Sequence, residues 1–167
     1  RDGGVVFYLA PSPTDLNGDG NPDSGLVCAI EDQSTGIQWY NGSNITTNAS
    51  ATAIGAGAAN TAKIITNQGT GIYAAFICSN YSVTIDNTTY YDWFLPSKDE
   101  LNEIYQNKSD IDTTADSNGG SVFPIANYWS STEYNNQYVW LQDFNNPGGQ
   151  NFAFRNFPLR VRAIRAF

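Results

Sequence analysis

The chain has 167 residues, of which 41% are hydrophobic and 14% aromatic, and this composition excludes a disordered or collagen-like protein. Its formal net charge of −8 would repel the phosphate backbone of a nucleic acid, so we expect no nucleic-acid partner. The chain contains no histidine, which excludes a Ser-His-Asp triad, a Cys-His dyad and an imidazole zinc site within it, and we expect no enzymatic activity.

The N-terminal part of the chain begins with a strand-like segment. Arg1–Gly4 leads directly into Val5–Leu9 without the pattern of a signal peptide. The longest apolar run, Ile72–Cys78, is too short to span a bilayer, which predicts no membrane insertion. We therefore expect a mature or excised single domain that comprises residues 1–167.

A loop rich in Gly, Asp and Asn follows and carries an insertion at residues 15–23. Oxygen-bearing side chains occupy every second position, and a glycine follows the third, so the loop can curl around a hard cation. The pattern predicts a structural Ca²⁺ site that rigidifies the connection to the next strand, Gly25–Ala29. A metal-free turn is the alternative. The predicted calcium ligands are Asp15, Asn17, Asp19, Asn21 and Asp23.

Helical spacing appears in the middle of the chain. Asn60–Gln68 and Gly71–Asn80 have helix-compatible patterns, and the clearest helix start is Ser97, with Glu100 completing a capping box. Two to three helices are therefore predicted. The acidic residues Asp99, Glu100 and Glu103 could be read as catalytic carboxylates, but their interaction with the helix dipole explains them better.

Short aromatic strands separated by Asn- and Gly-rich turns begin at Tyr128, and we expect them to be antiparallel. Helices in the middle and strands at both ends predict an α+β domain in which the N- and C-terminal strands pair. Four clustered arginines either solubilise strand edges or form a phosphate site. The candidate strands are Tyr128–Thr132, Tyr138–Phe144, Asn151–Arg155 and Leu159–Phe167, and the arginines are Arg155, Arg160, Arg162 and Arg165.

Six motifs occur in order along nearly the whole chain. They are DGGVVF (2–7), EDQSTGIQW (31–39), AGAANT (56–61), DWFLPSKDEL (92–101), YWSSTE (128–133) and RVRAIRAF (160–167). Together they resemble the bacterial collagen-like-adhesin C-terminal domain family, also known as the Fibrobacter-type major paralogous domain. The resemblance implies a C-type-lectin-like fold, export to the cell surface, and core positions for Trp39, Trp93 and Trp129. It also suggests a core position for Trp140, whose face is left open by the strand alternation around it.

The C-terminal part is also similar to the variable proteins of diversity-generating retroelements, which share this fold and vary ligand-contacting residues near the C-terminus. Aromatic rings beside amide groups are suited to binding a glycan or a protein. Solvated loop ends, with Asn residues that only form turns, are the alternative. The predicted ligand-binding residues are Tyr134, Asn135, Asn136, Gln137, Tyr138, Asn145, Asn146, Gln150, Asn151 and Asn156.

Export, together with an even number of cysteines, favours a disulfide between Cys28 and Cys78; two buried free thiols are the alternative. Asp112–Thr114 resembles the O-glycosylation signal of exported Bacteroidetes proteins and predicts modification at Thr113. We expect an extracellular binding module, either an adhesin or a surface receptor domain, that recognises a glycan or protein ligand. The alternative is a self-associating structural subunit of a surface filament, or a decoration on one.

Overall fold

The computed structural model of the protein describes residues 1–167 and has the predicted α+β composition, with ten strands and four helices. The strands are β1 (Gly4–Thr14), β2 (Asp23–Ala29), β3 (Ser34–Ile37), β4 (Val83–Ile85), β5 (Thr88–Tyr90), β6 (Asn127–Glu133), β7 (Tyr138–Asp143), β8 (Gly149–Phe154), β9 (Leu159–Val161) and β10 (Ile164–Ala166). The helices are α1 (Gly57–Gln68), α2 (Ala74–Ser79), α3 (Lys98–Gln106) and α4 (Lys108–Ser117).

Strand β2 is the centre of the first sheet, whose order is β1-β2-β10. Cys28 of β2 pairs with Val5 on one side and with Ile164 on the other, and both pairings are antiparallel. The first and last strands therefore share a sheet, but the prediction that they pair directly is wrong because β2 lies between them. Residues 26–29 of β2 are apolar and completely buried, which suits a central strand rather than an edge.

The second sheet has the order β3-β9-β6-β7-β8. Strands β6, β7 and β8 are antiparallel, as predicted, whereas β6 and β9 are parallel. The strand predicted over Leu159–Phe167 is divided, so that β9 joins the second sheet and β10 joins the first. At the division, the Arg162 side chain donates to Asp32 at 2.7 Å and the Ala163 amide donates to the Gln33 side chain at 2.6 Å. These bonds fix the backbone at the point where it passes from the second sheet to the first.

The domain has four helices, so the expectation of two to three is wrong, and α4 is the helix that was not predicted. Its sequence is rich in Ser, Thr and Asp, residues of low helix propensity, so no helical pattern stands out. Its buried residues are Ile111 and Ala115, one turn apart, and the helix contacts β1. Tertiary packing therefore stabilises α4 more than local propensity does. None of the four helices has the length and apolar character needed to cross a membrane.

Three tryptophans lie in the core, as the family resemblance implied. Trp39, Trp93 and Trp129 are at most 2% exposed and belong to one hydrophobic cluster. The indole nitrogen of Trp39 donates to the Ser130 carbonyl and that of Trp129 donates to the Ile37 carbonyl, each at 2.9 Å. Each buried donor thus has a partner in the neighbouring segment, which ties the chain after β3 to β6.

The predicted disulfide is absent, because Cys28 and Cys78 are both free, buried thiols. Along β2, Val27 and Ala29 face one hydrophobic cluster, which also contains Cys78, whereas Cys28 faces the other cluster. Successive side chains of a strand point to opposite faces of the sheet, so the two sulfur atoms lie on opposite sides of β2. Burial raises the pKa of Cys28 to about 12 and also raises the pKa of Cys78.

The predicted capping box at the start of α3 is present and also holds a loop. The Ser97 hydroxyl accepts from the Glu100 amide at 3.3 Å, and Glu100 accepts from the Ser97 amide at 2.6 Å. The same carboxylate accepts from the Gly55 amide at 2.8 Å. Glu100 is completely buried, and this burial raises its pKa to about 7. Its carboxyl group therefore joins α3 to the segment that precedes α1.

Candidate functional site

An exposed group of aromatic rings lies on one face of β7 and β8, and we call it the aromatic face. Strand alternation places Tyr138 and Trp140 of β7 on this face, directly opposite Phe154 and Phe152 of β8. Two further rings, from the turns that flank the strands, extend it. Its members are Tyr134, Tyr138, Trp140, Phe152, Phe154 and Phe157.

The rings of the aromatic face are in direct contact with one another. Tyr134 stacks on Phe152 with ring centroids 4.7 Å apart and planes 3° apart. Tyr138 lies 4.4 Å from Phe154, and Trp140 meets Phe152 edge to face at 5.9 Å. These separations and orientations are those of favourable aromatic pairs, so the rings form a preorganised surface rather than independent side chains.

This surface remains open to solvent. Tyr134, Phe152, Phe154 and Phe157 are between 43% and 50% exposed. The Lys98 ammonium lies 4.0 Å from the centroid of the Trp140 ring, in the geometry of a cation–π contact. A contiguous apolar surface with a polar rim is typical of a binding site.

The predicted ligand-binding residues do not form one site. Tyr134–Gln137 connect β6 to β7, and Asn156 lies at the same end of the sheet, because Tyr138 pairs with Phe154. Asn145 and Asn146 lie in the turn between β7 and β8, at the opposite end. Gln150 and Asn151 are on β8 itself, near that second turn.

Several of the predicted amides stabilise turns. The Asn135 side chain accepts from the backbone amides of Gln137 and Tyr138 at 2.8 and 3.0 Å. Asn145 donates to Asp143 through both its backbone and its side chain. These bonds agree with the alternative that some asparagines are turn formers. The assignment of ligand contacts to the predicted residues stays a prediction.

A small cavity lies next to the aromatic face, at the end that carries Asn156. Its volume is about 140 Å³. Phe154 belongs to both the cavity wall and the aromatic face, while the remaining wall offers amide, phenol and guanidinium groups. The lining residues are Tyr40, Asn44, Gln137, Phe154, Arg155 and Asn156. This end of the face therefore combines ring surface with hydrogen-bonding groups, the combination that ligand sites use.

Arg155, which lines this cavity, connects several segments of the chain around it. It pairs with Glu133 at 2.9 Å, and both side chains are almost completely buried. It also donates to the carbonyls of Ile45 and Asn135 at 2.7 and 2.6 Å. Burial lowers the pKa of Arg155, and the charge of Glu133 acts in the opposite direction. Arg155 thus connects the loop after β3, the turn before β7 and the end of β6.

The other arginines of the cluster are also paired with carboxylates. Asp32 accepts from Arg160 at 2.8 Å, from Arg162 at 2.7 Å and from the Tyr128 hydroxyl at 2.8 Å. Arg165 donates to Asp92 at 2.6 Å. Each arginine of the cluster thus has a carboxylate partner within the domain. Arg155 and Arg162 are almost completely buried, whereas Arg160 and Arg165 are partly exposed. The phosphate site and the charged strand edges both stay predictions.

The insertion at residues 15–23 connects β1 to β2, as predicted. Asp15 accepts from the amides of Gly18 and Gly20 at 2.6 and 3.0 Å, and the Gly18 bond lowers the pKa of its carboxyl group. Asp23 accepts from the Leu16 amide at 2.8 Å, and burial raises the pKa of Asp23. The donor types suit calcium, although no three acidic side chains converge in the arrangement of a metal site. The calcium site stays a prediction.

Thr113 lies on the exposed side of α4, where its hydroxyl donates to the Ser109 carbonyl at 2.9 Å. The side chain is thus on the surface but within a helix. Its O-glycosylation stays a prediction.

Comparison with known proteins assigns the chain to a family. A family model described as the Lcl C-terminal domain matches residues 28–165. The chain belongs to this family. The match confirms the resemblance at the level of the family, while the relations to Fibrobacter-type domains and to retroelement variable proteins stay predictions. No curated protein matches the chain.

This Lcl C-terminal domain shares its fold with a solved structure, a fimbrial protein from Bacteroides ovatus. The two have a TM-score of 0.66 and 14% sequence identity. The similarity covers 98% of the present chain but only 44% of the fimbrial protein chain, so the domain corresponds to less than half of that protein.

Sequence reasoning missed four rings of the aromatic face in this Lcl C-terminal domain, namely Trp140, Phe152, Phe154 and Phe157. A usable signal was present. Aromatic residues at alternate positions, 138 and 140 on one strand and 152 and 154 on the next, predict one shared face once the two strands pair. The amide-rich turns at the strand ends were predicted to bind the ligand, and the rings on the strand surface were not.

Proposed function

We propose that this domain acts outside the cell as a non-enzymatic binding module that recognises a glycan or protein ligand through the aromatic face. The observation that supports this most directly is the stacked, half-exposed pair Tyr134 and Phe152 at the centre of that face. Family membership and the fimbrial-protein neighbour suggest a surface-associated protein. A domain at the cell surface would be in contact with extracellular glycans and proteins.

The exposed aromatic rings are energetically unfavourable in water. Each leaves apolar area in water, and covering that area with the apolar face of a sugar or with a protein side chain recovers about 25 cal/mol per Å². The rings already contact one another, so little conformational entropy is lost when a ligand binds. The amides of Asn44, Gln137 and Asn156 line the adjacent cavity and can donate to or accept from hydroxyl groups.

Binding can be measured on an array of neutral and sulfated glycans and on immobilised extracellular-matrix proteins. We expect Phe152→Ala and Tyr134→Ala each to weaken binding to a retained probe at least about tenfold, as central interface aromatics do. Ile72→Ala is the matched control, because Ile72 is an apolar residue that is 80% exposed and lies outside the aromatic face. Unchanged binding by both aromatic variants would contradict the proposal.

A structural subunit of a surface filament, or a decoration on one, is the second candidate. The similarity of fold to a fimbrial protein favours this candidate, because fimbriae are surface filaments. Negative-stain electron microscopy of the concentrated domain tests this candidate. Filaments or regular strings of particles would support it, while dispersed particles of one size would count against it.

Two finer assignments complete the proposal. The fold is C-type-lectin-like, as the family resemblance implies, and both terminal strands in one sheet support this. Residues 15–23 bind a structural calcium ion through Asp15, Asn17, Asp19, Asn21 and Asp23. The chemistry of these oxygen donors supports calcium. The pKa of Asp23 is raised mainly by burial, and the negative charges of Asp19 and Asp15 add to it, so a bound cation would relieve their repulsion.

A further inference from the structure

Strand β8 ends the second sheet and has an unpaired outer edge. The Arg155 amide donates to the Gln137 carbonyl at 3.1 Å, and hydrogen-bonded pairs alternate along an antiparallel ladder. The backbone groups of residues 149, 151 and 153 therefore face β7, whereas those of Gln150 and Phe152 face outward. Phe154 also faces outward, but its carbonyl accepts from the Phe157 amide at 3.1 Å, so the open edge ends there. The outward Phe152 amide is held only by the side chain of its neighbour Asn151, at 2.8 Å.

Most of the other sheet edges are short, covered or interrupted. Phe94 forms backbone bonds with Ile164 at 2.8 and 2.9 Å and so covers β10. Residues 11–14 of β1 include Pro11 and Pro13, which have no amide hydrogen, and β3 has only four residues. Residues 4–10 of β1 contain no proline, but there the Phe7 carbonyl accepts from the Asn107 side chain at 3.4 Å. Prolines, short strands and covering segments are the means by which proteins prevent edge pairing. Strand β8 has six residues, none of them proline or charged.

The charge around β8 differs from that of the whole chain. The net charge is −8, so two copies repel each other over most of their surface. Residues 144–159 contain no acidic residue, and their one basic residue, Arg155, is buried and paired with Glu133. The strand itself therefore adds no like-charge repulsion when a second copy approaches, and its apolar rings favour that approach. The charged neighbours of β8 are Lys98, over the Trp140 ring, and Asp143, opposite Gly149, and they are opposite in sign.

We propose that two copies of this domain pair through their β8 strands in antiparallel orientation. The symmetry axis of such a pair is perpendicular to the sheet, so both copies present the same face on the same side. The two aromatic faces then lie next to each other on one continuous sheet. This dimer does not depend on the proposed ligand binding, but it would give one particle two adjacent binding surfaces.

The expected contact is weak. A single six-residue strand with its flanking rings buries less than the ~1,200 Å² that stable interfaces require, which places the dimer among transient, concentration-dependent complexes. Its formation should therefore appear as a monomer–dimer equilibrium in the range of roughly 10 µM to 1 mM. Because the pairing is symmetric, it uses the β8 edge of both copies and stops at two.

Sedimentation equilibrium across that concentration range tests the proposal. Gln150→Pro removes an outward amide, and Phe152→Lys places a charge on the edge. We expect both variants to weaken dimerisation at least tenfold. Gln150→Ala, which also loses the side-chain bond to the Lys98 carbonyl at 2.9 Å but keeps the amide, should dimerise as the wild type does. Ile72→Lys, which adds the same charge at a distant exposed site, should dimerise as the wild type does. Near-ultraviolet circular dichroism checks that all variants remain folded.

Three results would overturn the proposal: a wild-type protein that stays monomeric at 1 mM, a folded Gln150→Pro variant that dimerises normally, or growth beyond the dimer. Tyr134→Ala separates this proposal from ligand binding. Tyr134 lies in the turn before β7 and not on the β8 edge, so this variant should lose probe binding and still dimerise as the wild type does. Unchanged probe binding by Tyr134→Ala with an intact dimer would contradict the proposed function alone, whereas lost probe binding in a protein that stays monomeric would contradict the dimer alone.

Discussion

Arg155, directly after β8, forms an ion pair with Glu133, the last residue of β6, with 2.9 Å between Nη2 and Oε2. Glu133 also accepts from the Thr47 amide at 2.7 Å, and the Arg155 guanidinium lies 4.7 Å from the centroid of the Trp39 ring. The pair therefore joins the loop after β3 to the sheet that carries the aromatic face. Its removal should affect both stability and the geometry of that face.

Glu133→Ala should lower the free energy of unfolding by roughly 3–5 kcal/mol, because it leaves the Arg155 charge buried without its carboxylate partner. Urea unfolding followed by tryptophan fluorescence measures this change. Lys108→Ala is the control, since it breaks the more exposed ion pair with Asp112 and should cost no more than about 1 kcal/mol. Equal effects of the two substitutions would contradict the structural role of the buried pair.

Glu100 should make the domain less stable as the pH rises. Its pKa is about 7 in the folded protein, against an ordinary value of 4.5, so the folded state holds a proton that the unfolded state has lost between these values. The contribution is fully present below pH 4.5, falls as the pH rises towards 7, and amounts to roughly 3 kcal/mol in total.

The test of Glu100 compares wild type with Glu100→Gln by urea unfolding at pH 5 and pH 8. Because Gln cannot titrate, the stability of the wild type relative to the variant should be greater at pH 5 than at pH 8. Leu101→Val, at a buried neighbour in the same helix that carries no titratable group, should leave the pH dependence unchanged. A difference between wild type and Glu100→Gln that is independent of pH would reject this assignment.

Calcium should stabilise the domain if residues 15–23 bind it. At a concentration 100 times the dissociation constant, the gain would be about 2.7 kcal/mol and would appear as a higher melting temperature. Asp19→Asn should reduce this gain, whereas Asp116→Asn, an exposed acid of α4, should not. Equal stabilisation by calcium of wild type and Asp19→Asn would place the effect outside this loop.

The cysteines should behave as two unreactive free thiols. Burial of Cys28 and Cys78 keeps the reactive thiolate scarce and inaccessible, so a thiol reagent should label neither residue in the native protein. After denaturation without a reductant, alkylation followed by mass spectrometry should detect two labels. Detection of none would show that a disulfide is present after all.

Local patterns were sufficient for part of the fold. The capping box at Ser97 and Glu100 involves residues only three positions apart, so its spacing predicted the start of α3 correctly. The short aromatic segments after Tyr128, separated by Asn- and Gly-rich turns, likewise predicted strands. Helix α4 was not predictable in this way, because its stability depends on burying Ile111 and Ala115 against elements that are distant in the sequence.

Long-range pairing accounts for the remaining errors. The position of β2 between the two terminal strands, and the opposite faces on which Cys28 and Cys78 lie, depend on strand order and register. Neither can be deduced from composition. The candidate site shows the same limit. Phe152 and Phe154 join Tyr138 and Trp140 only when β7 and β8 pair in one particular register.

The segment from Leu159 to Ala166 contributes β9 to one sheet and β10 to the other within a few residues. Neither sheet can release this segment without straining the other, so partial opening of the domain is disfavoured. Heat or urea should therefore melt both sheets in a single two-state transition, with equal calorimetric and van't Hoff enthalpies.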